Sequence, residues 1–272
     1  MHETVIEARR PRGEYVKDLL RHKELFYFFA WRDIVVRYKQ AFFGIAWALF
    51  RPLITMALFT LIFSKLANFP SVGVPYPLFA LSGMVPWMLF ANVLTETTVS
   101  LLNNPSLLSR VYFPRMILPA SQILVQLVDF LIALALLFVF ILFWGNISFF
   151  TFVFLPFFVT LLLLLCLGCG LILSALTVKF RDVRYIVPFL VQFGIYLSPV
   201  GYGSFMIPVA WQWLYFLNPM AGIIEGFRWS IFGIAQPYLV ESVAISCAVT
   251  ALILWVGYRY FRVAERHFGD LL

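Results

Sequence analysis

Residues 150–177, FTFVFLPFFVTLLLLLCLGCGLILSALT, run for 28 positions without one charged side chain. Wound into an α-helix, such a run is about 42 Å long, more than the roughly 30 Å hydrocarbon core of a bilayer. One helix of this kind could be buried inside a soluble domain; several could not. Mainly apolar runs recur at 44–66, 77–101, 118–143, 183–203 and 238–260. Six transmembrane helices are therefore expected, in an all-α integral membrane protein. Overall composition agrees: 62% of residues are hydrophobic and 12% charged, against about 25% charged in a typical soluble domain.

A seventh apolar stretch, 205–234, is interrupted by Pro208, Pro219, Gly222, Gly226 and Gly233. It predicts a pair of short re-entrant helices before the last span. Irregular backbone survives at membrane depth only where protein or a water-filled cavity surrounds it. Glu225 and Arg228 stand three apart there, so they share a helix face. An unpaired charge in such a place is costly, which makes the pair a candidate outer gate.

Eighteen of the 20 Lys and Arg residues lie in the N-terminal 51 residues, the 102–117 loop, the 178–184 loop or after residue 258; only Lys65 and Arg228 lie elsewhere. Positive charge is retained on the cytoplasmic side. Both termini are expected there, with an even number of spans. The net charge of +7 is accounted for by this topology and by contact with anionic lipid, without nucleic acid. The first 24 residues mix both signs of charge and lack a short apolar run before a small-residue cleavage site, so no cleaved leader is expected.

From Tyr15 to Gln40 apolar residues recur at three- and four-residue spacings among Arg32, Asp33, Arg37 and Lys39. That pattern predicts an amphipathic helix lying in the membrane interface. The expected organisation is a cytoplasmic N-terminal segment with this helix (1–40), a six-helix membrane domain (41–262) and a cytoplasmic tail (263–272).

Catalytic signatures are absent from the sequence. None of the five lysines follows a glycine, so no phosphate-cradling G-x-x-x-x-G-K-[ST] loop exists. His2, His22 and His267 are confined to the ends, and acidic residues form no metal-like cluster. Cys166 and Cys169 form a C-x-x-C inside an apolar run, where packing is the expected role. No catalytic, metal or cofactor-binding residue is assigned, and transport powered from outside the chain is the remaining reading. Asp129, with Gln122 and Gln126 at helical spacing, is either a pathway group or a bond to a neighbouring helix. Cys166, Gly170 and Ser174, spaced by four, predict a close helix–helix seam.

Four segments, RDIVVRYKQAFFGIAWALFRPL (32–53), SLLSRVYFPRMILP (106–119), KFRDVRYIVPFLVQFGIYLSPV (179–200) and LNPMAGIIEGFRW (217–229), resemble the permease subunits of ATP-binding cassette exporters for polysaccharides such as O-antigen, capsule and teichoic acid. That resemblance implies a homodimer of permeases working with two copies of a separate ATPase that holds ATP and Mg, on a lipid-linked polysaccharide. It implies a coupling helix between spans two and three, with Asn104, Leu107, Arg110, Tyr112, Phe113, Pro114 and Arg115. A second contact falls between spans four and five, at Arg181, Asp182 and Arg184.

Aromatic faces stack on the apolar faces of sugar rings. Phe42, Phe43, Trp47, Phe50, Phe59 and Phe63 on span one, with Phe189, Phe193 and Tyr196 on span five, are the expected substrate-channel residues. Lipid exposure and interfacial belts also use such residues. Alternatives are a related permease exporting a drug or small lipid, a glycan-assembly enzyme, which would need clustered acids or histidines, and a scaffold.

Overall fold

The computed structural model describes residues 15, 18–19, 21–39, 46–71, 73–110, 113–144, 148 and 150–268. Every regular element among them is helical. In chain order these are α1 (Lys23–Lys39), α2 (Ala46–Phe59, running on as a wider π-turn through Thr60–Leu66), α3 (Tyr76–Val99), α4 (Pro105–Arg110) and α5 (Ile117–Trp144). They continue with α6 (Phe150–Lys179), α7 (Val183–Leu197), α8 (Val209–Phe216), α9 (Pro219–Phe232) and α10 (Leu239–Ala264). Phe42, Phe43 and Tyr112 lie outside the described residues, as does the side chain of Arg110.

Five segments are long and apolar enough to cross a membrane: Ala46–Leu66, Tyr76–Val99, Ile117–Trp144, Phe150–Lys179 and Leu239–His267. The sixth expected span, 183–203, is instead the 15-residue α7. At 1.5 Å per residue it reaches about 23 Å. Pro199 holds Ser198 in an extended conformation (φ −110°, ψ 152°), which stops the helix there. Past Leu197 the chain turns through Ser198–Gly203, and its freed carbonyls are taken up by Arg228, whose Nη2 donates to Val200 O (2.6 Å) and Nη1 to Tyr202 O (3.2 Å).

Helix α3 is the centre of the bundle. Phe79–Val85 form a continuously buried stretch, and α2, α5, α6, α7 and α9 all pack on this helix. Helix α6 runs against both α3 and α10. At the α6–α10 crossing Gly257 meets Gly168 so closely that a Cβ on Gly257 would lie 2.4 Å from the Gly168 carbonyl oxygen. The expected seam is also present: Cys166 and Ser174 are fully buried, and Gly170 abuts Thr97 of α3.

Two apolar clusters divide the molecule. The larger joins α3, α5, α6 and α9 through residues such as Leu81, Leu137, Leu162 and Phe227. The smaller, with Tyr15, Phe29, Leu101, Phe113, Val178, Phe261 and Phe268, gathers both described ends of the chain and the roots of the two polar loops at one end of the bundle.

Helix α1 lies against α5, and charged residues make much of that contact. Asp33 accepts from Gln122 Nε2 (2.7 Å), and Arg37 pairs with Asp129 (3.0 Å). Tyr38 donates to the same carboxylate. Burial, with this bond second, pushes the Tyr38 phenol above its usual range. Charged groups stitch α1 to α5, while Phe29 is buried on the bundle and Tyr27, Phe28 and Trp31 face the surroundings. Asp129 is thus a helix–helix bond.

Candidate functional site

The loop between α3 and α5 opens with the short α4. Asn104 Nδ2 donates to Ser100 O (2.9 Å), closing the end of α3, and its Oδ1 receives Arg32 Nη2 (3.4 Å). Leu107 is half-buried. Phe113 is buried against Phe29, their ring centres 5.7 Å apart, and Pro114 is buried beside it. These two residues fix the pose of the loop and leave little surface for a partner.

Arg115 is fixed from the other side. Its backbone N donates to Glu265 Oε1 (2.8 Å) and its Nη1 to Glu265 O (3.1 Å). Glu265 Oε1 also accepts from Tyr15 Oη (3.2 Å), while Oε2 lies 3.6 Å from Arg262. Arg262 covers the Tyr15 ring at 3.6 Å. Burial, with Glu265 second, raises the phenol of Tyr15 far above its ordinary value. One carboxylate therefore ties the 113–116 loop, the end of the last helix and the N-terminal segment together.

The second loop is a tight turn from Lys179 to Val183. Arg181, Asp182 and Arg184 are all exposed; Lys179 and Arg184 lie over Phe180 and Tyr185, at 5.0 and 4.7 Å. This turn and the 101–116 loop sit at the same end, because Val178, Leu101 and Leu108 share one cluster. The turn is charged and exposed and stands next to a stiffened loop.

Three relatives carry names that bear on function. The chain is 26% identical over 243 residues to the O-antigen export system permease protein RfbA of Klebsiella pneumoniae, covering 89% of this chain and 92% of that protein. It is 26% identical over 259 residues to the RfbA of Myxococcus xanthus, covering 94% and 98%. It is 24% identical over 242 residues to the polysialic acid transport protein KpsM of Escherichia coli, covering 86% and 91%. Residues 24–232 match the family described as the ABC-2 type transporter. The chain belongs to that family.

In this ABC-2 transporter chain the predicted aromatic residues do not form one group. Trp47, Phe50, Phe189, Phe193 and Tyr196 are all about half exposed or more. Phe59 is buried, and Phe63 packs against it at a tilt, ring centres 5.2 Å apart; both rings press against Gly201. They hold the turn after α7 in place. The exposed five lie on α2 and α7, which both pack on α3.

Glu225 and Arg228 are buried at the opposite end of α3 from the loops, with a 3.8 Å contact. Glu225 Oε1 accepts from Ser204 N (2.8 Å). Arg228 lies 3.7 Å over the Phe79 ring and donates to Phe79 O (3.2 Å) as well as to Val200 and Tyr202. Gly83 makes room for it: a Cβ there would fall 2.5 Å from Arg228 Nη2. Asn218 caps α9 through Met220 N (3.1 Å) and donates to Ser198 Oγ (2.9 Å). The broken backbone at this end is thereby supplied with protein partners.

Sequence reasoning missed the Glu265 cluster. Its one local signal was Arg262 three residues earlier, a common spacing. Tyr15 and Arg115 are 250 and 150 positions away.

Proposed function

We propose that this chain is the permease half of an ATP-driven exporter moving a lipid-linked polysaccharide across the bacterial inner membrane. Two copies form the pathway, and a separate ATPase dimer supplies the energy from the side that carries the two loops and both termini. The carrying observation is full-length similarity to permeases named for O-antigen export and polysialic acid transport, joined to loops of the kind a motor could grip. In this reading ATP and Mg are held by the partner.

In this reading the 104–116 loop is the main coupling element, fixed by Phe113, Pro114 and the Glu265 bonds. Motion of the motors would then reach α1, α5 and α10 together as rigid bodies. Arg181, Asp182 and Arg184 are the second handle. The exposed aromatics of α2 and α7 line the sugar path where two copies face each other. Helices α8 and α9 re-enter from the outer side, and the Glu225–Arg228 pair pins that outer gate. Six membrane passes are retained if α7 crosses with the help of the 198–206 turn.

The deciding experiment compares Arg181→Glu with the wild type in cells and in vesicles with the ATPase. Because Arg181 is exposed, insertion should be normal while export and transport-coupled ATP hydrolysis are lost. Unchanged export with unchanged ATPase stimulation would remove the docking role. A triple Trp47→Ala, Phe50→Ala, Tyr196→Ala chain should insert yet export long glycan poorly; normal glycan at the cell surface would count against the aromatic path.

A further inference from the structure

Helix α2 is the least buried of the five long apolar helices. Trp47, Phe50, Ile54, Leu58, Leu61 and Lys65 follow one another at three- and four-residue spacings and are all exposed, so they form one stripe along the helix. Five of the six are apolar. The sixth, Lys65, sits in the wider turn Thr60–Leu66, where Ala67 N donates to Ile62 O five residues back (3.0 Å). Such π-turns are rare and gather at functional sites.

Lys65 is a cation on the unexpected side. Phe59 and Phe63, just before it, press against Gly201, in the turn held by Arg228. This end of α2 therefore lies opposite the two charged loops, where Lys and Arg are disfavoured. The other exception, Arg228, is buried and spent on backbone carbonyls. Lys65 makes no ion pair among the described residues. Glu225, at the same end, is 1% exposed and bound to Ser204 N. No Asp or Glu occurs from 34 to 95 or from 183 to 224, so neither α2 nor α7 has a carboxylate to offset the charge.

We propose that the glycan passing these faces is acidic, with carboxylate or phosphate groups along its length, and that Lys65 of each copy meets those groups where the path opens outward. This rests on the export reading and adds to it the charge of the cargo. Pores for anions and phosphates are ringed by Arg or Lys, and those for cations by Asp or Glu. Between apolar walls of one sign of charge the field is concentrated, so a single ammonium per copy acts on the whole mouth. A neutral glycan would draw nothing from it. A carboxylate on α2 or α7 would oppose an acidic one, and neither helix has any.

The test begins with the surface glycan that disappears when the chain is deleted from its cells. Its repeating unit should contain carboxylated sugars or phosphate. A neutral glycan overturns the charge inference and leaves the export reading standing; loss of no glycan overturns both. In the deleted strain, Lys65→Gln should slow the arrival of pulse-labelled glycan at the surface about threefold and Lys65→Glu about tenfold, with Lys65→Arg near the wild type. Lys65 is exposed, so all three should reach the membrane in normal amounts. Lys65→Trp separates charge from anchoring, because Trp suits the interface and carries no charge; it should export as slowly as Lys65→Gln. Wild-type export by Lys65→Trp or Lys65→Glu would make Lys65 a membrane anchor and overturn the proposal.

Discussion

Two Glu–Arg pairs of identical spacing stand at opposite ends of this bundle and do different work. Glu225 and Arg228 have side-chain exposures of 1% and 5%; Glu265 and Arg262 have 14% and 20%. At the deeper pair the direct contact is long, 3.8 Å, and the arginine's bonds go mainly to backbone carbonyls of α3 and the turn after α7. At the shallower pair the carboxylate serves Arg115 N and Tyr15 Oη. The first pair closes a break in the chain where no water can; the second fastens three distant segments at a rim. Burial, more than charge, separates the two roles.

The largest expected effect follows from that. Arg228→Met leaves Glu225 buried without its counter-charge and three carbonyls without a donor, which should cost about 3–5 kcal/mol. Unfolding of the purified chain in mixed detergent would read it. A loss no larger than that of Arg262→Met would erase the distinction between the pairs. Gly83→Ala should come next, at about 1–3 kcal/mol, because its Cβ would meet Arg228 Nη2 at 2.5 Å and Val200 O at 2.9 Å. If Gly83→Ala unfolds like the wild type, Arg228 is not held as tightly against α3 as its bonds imply.

The contrast also explains what could be read in advance. Five of the six expected spans and the seam at Cys166, Gly170 and Ser174 followed from local runs and spacings, because lipid as solvent imposes a length on every helix. The end of α7 did not. Residues 198–203 are apolar enough to pass for the end of a span, yet Pro199 breaks the helix at Ser198, and Arg228, 26 residues beyond Tyr202, takes up the freed carbonyls. Asp129 was legible as an oddity but not as a bond to α1, since Arg37 and Tyr38 lie about 90 positions away and could equally have faced water. Patterns along one helix are local; partners for a buried charge are not. For the site, the exposed Arg181 turn was legible as charge between apolar runs, whereas the inward position of Phe113 depended on Phe29.

Glu265→Gln should have a modest effect on stability, about 1 kcal/mol, because the amide oxygen can still accept from Arg115 N and Tyr15 Oη, while the charge and the acceptor facing Arg262 are lost. Its functional effect should exceed that of the deeper pair per unit of stability lost, if the rim cluster carries motion between the loop and α10. Melting and glycan export would be measured together: a chain that folds like the wild type yet exports slowly supports the linkage, and one that exports normally makes Glu265 a local fastening only.

Arg262→Gln should be the mildest. Its contact with Glu265 is a long 3.6 Å between two partly solvated side chains, closer to a surface ion pair, worth about 0–1 kcal/mol, than to the deeply buried one. The guanidinium also lies 3.6 Å over Tyr15, so removing it uncovers one face of a buried ring whose hydroxyl still reaches Glu265. The loss should therefore appear as looser attachment of the N-terminal segment, with the bundle intact. Hydrogen exchange would resolve this: faster exchange near Tyr15 with α3 and α6 unchanged is the expected pattern. Faster exchange spreading into α6 would mean that the rim supports the core, and the two ends of the molecule would then be alike after all.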